Sequence, residues 1–351
     1  MKTIMRRVMP VASRLRAFAC AAGGAALVLT TSASAQSASD WDALVAAAKR
    51  EGSVVFYNGT SFPIPRLIAK AFEQKYGIRV DIVEGRPSEI RERVRTEQSV
   101  GRFIGDLRLS GVTTGALEAA EGKYIPHGDL PNGKKVKSEL GGDGTMLPVA
   151  VGRYAVMLNT NLVKPADEPQ TWQDFLDPKW KGKIIAVDPR VGGNGQVTQI
   201  ALYDKFGRSF TEKFAAQNPT LVRDPPVSQR RLAQGEFSIL LPFNASEFGQ
   251  LQGLPVKAMV PKEGAPYVVN MLAMLKNAPH PNAARLFMDF YISDEMQLLS
   301  SAEGSEASTG LISDKLPAGQ RKLLEAPLLG SADPFKIEGM LKIFEEIYSK
   351  P

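Results

Sequence analysis

Between residues 53 and 111 the chain alternates β-like and helix-like stretches at a spacing that leaves few folds open. "SVVFYNG" (53–59) is an apolar run closed by a turn. "PRLIAKAFEQKYG" (65–77) has helical spacing, with Leu67, Ile68, Ala71 and Phe72 on one side and Gly77 as its stop. "IRVDIVEG" (78–85) reads as a strand, "PSEIRERVRTEQ" (87–98) as a helix and "GDLRLSG" (105–111) as a third strand. Strands separated by single helices predict a parallel sheet with crossover helices.

The pattern resumes further on. "RYAVMLNT" (153–160) reads as a strand, "TWQDFLDPKWKGK" (171–183) as a short helix and turn, and "KIIAVDP" (183–189) as a strand. "VSQRRLAQGEFSILLPFN" (227–244) contains a helix, a glycine stop and a strand. "YVVNMLAMLKNAPHPNAARLFMDFYIS" (267–293) is a long apolar strand, a turn and a helix starting near Pro281. Two α/β units joined by extended segments near 148–160 and 262–276 predict two lobes, each a mixed, mostly parallel sheet flanked by helices, with a hinge of two segments. The expected division is residues 36–150 for the first lobe, completed by about 266–312, and 151–265 for the second, completed by 313–351.

The segment before residue 36 has another character. Lys2, Arg6, Arg7, Arg14 and Arg16 form a basic region without acids, an apolar stretch runs from Ala17 to Thr30, and Ala33-Ser34-Ala35 precedes Gln36. That order is an export signal with a small-x-small cleavage site. The apolar stretch is well short of the roughly 20 residues that span a bilayer. Cleavage after Ala35 removes 35 of 351 residues and leaves 316, enough for two domains of ordinary size. It also removes Cys20, the only cysteine, so disulfides and thiolate metal sites are excluded from the mature chain. Five positive charges leave with it, so the net charge falls from +6 to +1. The basic balance is therefore a targeting feature, and it implies no nucleic-acid partner.

Several phrases now carry a family likeness. "TWQDFLDPKWKGKIIAVDP" (171–189), "RRLAQGEFSILL" (230–241) and "NAPHPNAARLFMDFYISDEMQ" (277–297), in this order behind an export signal, resemble the periplasmic solute-binding proteins that include the ferric-iron-binding proteins. The resemblance implies a type II-like, two-lobed, hinged protein of the periplasm in a Gram-negative cell. It implies a monomer that captures a solute between its lobes and delivers it to an ABC permease in the inner membrane. Presentation of the solute to a membrane sensor is the alternative that keeps the fold.

Iron binders of this family resemble one another in adjacent tyrosines after the strand that here is "FSILL" (237–241). Here the stretch reads "PFNASEF" (242–248), and no Tyr-Tyr pair occurs anywhere in the chain. Many of them also place a histidine after the first strand, where this chain reads "YNGTSFP" (57–63). These departures favour an organic solute over ferric iron. No catalytic set, cofactor motif or metal-ligand spacing is present: His127 and His280 are the only histidines, and neither has a nucleophile motif nearby. A secreted α/β enzyme using either histidine is the most distant alternative.

Ligands of such sheets lie beyond the carboxyl ends of the strands. The candidates there are Asn58, Thr60 and Ser61 in the first loop and Arg86 and Ser88 in the second. Ser110, with Thr113, marks the third, and Arg190 and Asn194 mark the fourth. Each alone is better accounted for by helix capping or turn chemistry; their placement at successive strand ends is what favours a binding role. Arg153 opens the first hinge strand, while Asn244 and Tyr267 lie at strand ends bordering the cleft. The fourth loop, "DPRVGGNGQVTQ" (188–199), holds Gly192, Gly193 and Gly195 ahead of a helix. It lacks the Gly-Lys-Ser/Thr ending of a nucleotide loop and the spacing of a dinucleotide fingerprint. Exposed N–H groups at a helix start favour a carboxylate or phosphate, and arginine forks suit the same oxygens. The expected ligand is therefore a small organic anion, held by Arg190, Gly193 and Gly195, with Arg86 or Arg153 across the cleft. The protein recovered from the periplasm should begin at Gln36; mass analysis that finds residue 1 intact would refute the export reading.

Overall fold

The computed structural model describes residues 26–60, 64–191, 193–223 and 225–349. Most of the predicted signal segment, Ser61 and Gly192 lie outside the described residues. The chain divides into two compact units, residues 1–44 and 45–351. The first is described only through part of helix α1 (Ala26–Glu51). Everything that follows concerns the second.

Its elements run β1 (Ser53–Asn58), α2 (Ile64–Tyr76), β2 (Arg79–Glu84), α3 (Pro87–Ser99), β3 (Leu107–Gly111), α4 (Val112–Ala120), β4 (Tyr124–Ile125) and β5 (Met146–Asn159). Then come β6 (Ile184–Val187), α5 (Gly193–Ala215), β7 (Thr220–Val222), α6 (Pro225–Ala233), β8 (Ile239–Asn244), β9 (Val256–Met259) and β10 (Ala265–Leu275). The chain closes with α7 (Pro281–Tyr291), α8 (Asp294–Ala302), β11 (Glu306–Ala307), α9 (Ala318–Glu325), β12 (Leu328–Gly330) and α10 (Ile337–Tyr348).

The strand order is β2-β1-β3-β10-β5-β8-β6-β7. The pairs β1–β2, β1–β3, β6–β7 and β6–β8 are parallel, as the alternation predicts, whereas β10 and β5 enter antiparallel. The strand expected from Arg153 is only the second part of β5. Residues Met146–Arg153 pair with β10, and Tyr154–Asn159 pair with β8 and β9. One strand thus belongs to both lobes, and the partner changes between Arg153 and Tyr154.

Period-two alternation gives each lobe its core. In the second lobe Val156 and Leu158 face Trp172, Phe175, Phe210 and Phe214, while Ala155 and Met157 face Leu232, Phe243, Leu323 and Leu324. A sheet covered on both faces needs apolar residues on both, which explains the continuous apolar run of β5. In the first lobe Phe72 packs against Phe287 and Phe290 at 5.0 and 5.6 Å between ring centres. The buried stripe of α2 is Ile64, Ile68, Ala69 and Phe72. Leu67, expected on that stripe, is exposed, because the row Ile64, Ile68, Phe72 is the one turned to α7 and Leu67 falls beside it. The segment expected as a short helix near 171–183 forms two 3₁₀ turns, Trp172–Leu176 and Pro178–Trp180.

Where β5 changes partner, two later strands join it. β11 pairs with Val151 and Ala150, and β12 pairs with the start of β10. Arg153 lies at this point, buried, and donates to both oxygens of Glu306 and to the Ala326 carbonyl. A buried carboxylate that loses its partner is costly, so Arg153→Met should lower stability by about 3–5 kcal/mol. Urea unfolding should show that loss, and the Arg153→Met/Glu306→Met double variant should recover most of it.

Candidate functional site

The carboxyl ends of the parallel strands are built from short polar loops whose side chains are already engaged. At the end of β1, Asn58 is fully buried and its Oδ1 accepts from the Thr60 N–H (2.9 Å) and hydroxyl (2.8 Å). Its Nδ2 donates to Glu84 at 3.3 Å, and Glu84 in turn accepts from Arg66. Asn58 therefore shapes the turn that carries Thr60. Gly59 has its own reason: a Cβ there would lie 2.3 Å from Nη1 of Arg108. That guanidinium is fully buried and ion-paired with Glu118 at 3.2 Å.

Thr60 lines a small cavity together with Leu109, Ala150, Asn270, Tyr291 and Ser305. The side chains of Asn270, Tyr291 and Ser305 form no hydrogen bond to other described residues. No local pattern marks these three, which come from an apolar strand, a helix end and a loop far apart in the chain. Ser61, next to this cavity in the chain, lies outside the described residues.

The other first-lobe candidates are dispersed. Arg86 is exposed; its N–H donates to Glu89 at 2.9 Å, and its guanidinium lies 3.9 Å from the same carboxylate. Ser88 is exposed in the first turn of α3. Ser110 is buried, and its Oγ would stand 3.0 Å from a Cβ on Gly115 of α4, so it faces the interior of the lobe and not the other loops. Arg153 is committed to Glu306 at the lobe junction. Tyr267, its register partner on β10, is half-buried against the first-lobe core.

The second lobe brings its candidates together. Asp188 follows β6, and its carboxylate accepts from the Arg190 N–H and Nε (both 2.9 Å) and from Nη2 (2.8 Å). Nη1 of Arg190 makes no hydrogen bond to a described residue. Burial alone would raise the Asp188 pKa, but the Arg190 hydrogen bonds and the nearby Arg223 charge hold it below its ordinary 3.8. Tyr348 of α10 lies within electrostatic reach of this pair; burial pushes its phenol up, and its hydroxyl has no partner among the described residues.

The glycines after Arg190 have backbone reasons. Gly193 has φ +74°, where a side chain is strained. A Cβ on Gly195 would lie 2.6 Å from the Val187 carbonyl, so this glycine lets α5 pack closely on β6. Asn194 accepts from the Gly195 N–H at 2.8 Å. Beyond β8, Asn244 Oδ1 accepts from the Ser246 N–H (3.2 Å) and hydroxyl (3.0 Å), and Gln229 donates to Glu247 at 2.5 Å. Phe243 is core. Glu247, which the sequence reading did not single out, is pushed up by burial, with only the Gln229 amide opposing the rise.

His280 hydrogen-bonds Asp106 through Nδ1 at 2.9 Å, and its Nε2 lies 3.4 Å from Ser53 Oγ. Asp106 also accepts from the backbone N–H groups of Val55 and His280, both at 2.7 Å. The carboxylate thereby ties the start of α7 to β1, at the end of the sheet away from the polar loops. His127 is half-buried on a loop, its Nδ1 2.6 Å from the Gly128 carbonyl oxygen. Among the described residues no group of three or more His, Cys, Asp or Glu side chains is placed to hold a metal ion, and no helix is long and apolar enough to cross a membrane.

Two lobes joined through a shared strand, with polar loops at the carboxyl ends of both sheets, define a solute-binding architecture. A profile of the bacterial extracellular solute-binding proteins matches residues 112–321, and the chain belongs to that family. It is similar to iron-bound HitA from Pseudomonas aeruginosa, with a TM-score of 0.70 and 20% identity over 84% of this chain and 99% of that one. It is similar to AfuA from Actinobacillus pleuropneumoniae with exogenous fructose-6-phosphate bound, with a TM-score of 0.59 and 21% identity over 85% of this chain and 97% of that one. Iron uptake protein A1 of Synechocystis sp. is 24% identical over 64% of this chain and 67% of its own length.

The depressed Asp188 pKa makes a pH prediction. A carboxyl with a lowered folded-state value contributes stability above its unfolded value, lost as pH falls through the folded one. The stability advantage of the wild type over Asp188→Asn should therefore be full above about pH 4 and shrink below it. Urea midpoints measured across that range would refute this if the difference were constant or grew on acidification.

Proposed function

We propose that this solute-binding protein captures a small organic anion, a carboxylate or phosphate ester, in the periplasm of a Gram-negative cell and delivers it as a monomer to an inner-membrane ABC permease. The observation that carries the reading is Arg190 at the start of α5. Asp188 orients its guanidinium through Nε and Nη2, and Nη1 remains for an anion. The first N–H groups of a helix have no intrahelical acceptor, and the part of α5 before the break at Gly207 adds a favourable field at this end. Gly193 carries no side chain over these groups. Arg86, exposed at the start of α3 with only the exposed, 3.9 Å Glu89 pairing to give up, is the first-lobe candidate arginine able to reach a ligand, since Arg153 serves the lobe junction.

Iron is named for two of the relatives, the iron-bound HitA and iron uptake protein A1. After β8 this chain presents Asn244-Ala245-Ser246-Glu247 and not a pair of phenols, which supports an organic solute. Because α5 and Arg190 stand on one lobe and Arg86 on the other, a solute that touches both stabilises the closed arrangement.

A hydrogen bond to a charged group contributes about 1.5–3 kcal/mol. Arg190→Ala should therefore weaken binding of the co-purifying solute, identified by native mass spectrometry, by roughly 10- to 100-fold in calorimetry. Gly193→Val should also impair it without changing charge, because a β-branched residue is strained at φ +74° and places a side chain beside the N–H groups. Arg95→Ala, on an exposed helix face where Arg95 pairs with Glu92, is the control. Wild-type affinity in both site variants would reduce the loop to a turn.

A further inference from the structure

A second set of polar groups gathers on the same face of the second-lobe sheet. β5 and β8 pair with Tyr154 opposite Asn244, which places the two side chains on one face. Tyr154 packs in a cluster with Val197 and Ile200 of α5, so this face is the one that carries the start of α5. Glu247 follows three residues after Asn244, in the 3₁₀ turn Ala245–Leu251. It is half-buried and paired only with the neutral Gln229 amide. The Tyr154 phenol is buried and pushed upward, first by that burial and then by the Glu247 charge, so the two groups are near one another. The Tyr154 hydroxyl and the Asn244 amide nitrogen form no hydrogen bond to other described residues.

These groups differ in kind from those at Arg190. A carboxyl, a phenol and two amides, with no cation among them, can both donate to and accept from hydroxyl groups. Asn244 and Glu247 are only partly buried, so the hydrogen-bonding capacity left over in this set faces a place a ligand can reach. No cation lowers the Glu247 carboxyl, whereas Asp188 is lowered by both Arg190 and Arg223. The two sets are therefore electrostatically separate, and a solute filling both has an anionic head and an extended polar body.

We propose that Glu247, Tyr154 and Asn244 form a hydroxyl-recognising subsite, so that the solute is a hydroxylated organic anion such as a polyol phosphate or a hydroxycarboxylate. This rests on the reading that the carboxyl edge of the second lobe holds the solute.

The test compares matched probes by calorimetry: glycerol 3-phosphate against propyl phosphate, and glycerate against propionate. The wild type should prefer the hydroxylated member of at least one pair by ~10-fold or more, the scale of one or two well-made hydrogen bonds. Glu247→Ala should erase that preference while leaving the unhydroxylated partner within about two-fold of its wild-type affinity, and Tyr154→Phe should reduce it several-fold. Urea midpoints establish that the variants fold, and Tyr154→Phe, which removes one oxygen, stands in should Glu247→Ala fail to do so. Wild-type protein without preference in either pair, or a folded Glu247→Ala that keeps it, overturns the proposal. Arg190→Ala should weaken both members of a pair equally. If it weakens neither while Glu247→Ala removes the preference, the anion reading fails and the hydroxyl subsite stands.

Discussion

The backbone pairing of β5 is the constraint on which the rest of this molecule depends. A buried strand must place every N–H and C=O in a ladder, and β5 does so with β10 along one part and with β8 and β9 along the other. The change of partner between Arg153 and Tyr154 is what makes one chain into two lobes. It also leaves edges nearby that β11 and β12 cover. Arg153 is buried at this point and therefore requires Glu306, which β11 supplies from 153 residues away. The C-terminal region is thus drawn back to the junction by two short ladders and one ion pair.

Polar residues at the strand ends serve the fold before they serve a ligand. Asn58 and Asn244 each hold a turn through the side-chain oxygen. Asp188 neutralises and orients Arg190, which costs part of that arginine's donor capacity but fixes the direction of what is left. Glycines follow the same logic. Gly59 makes room for a buried guanidinium and Gly195 for a strand carbonyl, so close approach inside the protein explains both without a ligand. What sets the proposed site apart is the remainder after this internal bonding: Nη1 of Arg190, the start of α5, and the acceptors and donors around Glu247.

Much of the architecture was legible because periodicity is a local property. The apolar runs that became β1, β3, β6, β8 and β10 and the helical stretches that became α2, α3 and α7 stand where hydrophobic spacing puts them. The misses have physical causes as well. Leu67 reads as part of the buried stripe because an apolar residue beside the stripe looks the same locally, whereas the buried face is fixed by the packing of Phe72 on Phe287 and Phe290. Ser110 was placed at the cleft because a strand end has two faces, and only the packing of α4 decides which one it takes. Asn270, Ser305 and Glu247 carry no local signal, because nothing in the sequence around them separates a ligand-facing residue from a buried polar one.

The sequence alone determined the alternation of strands and helices, the export-like N-terminus, the absence of cysteine after residue 20 and the absence of adjacent tyrosines. Each of these depends on residue type and spacing within a short window. Only the tertiary structure decided which charges are free. Arg86, Arg153 and Arg190 are equivalent as letters, yet one is exposed, one is sealed to Glu306 and one is aimed by Asp188. That difference is set by partners that come from 3, 153 and 2 residues away, and for Arg153 no local pattern contains the distance. Burial and pairing depend on the whole chain's packing, and they determine whether a guanidinium holds the fold together or remains available for a solute.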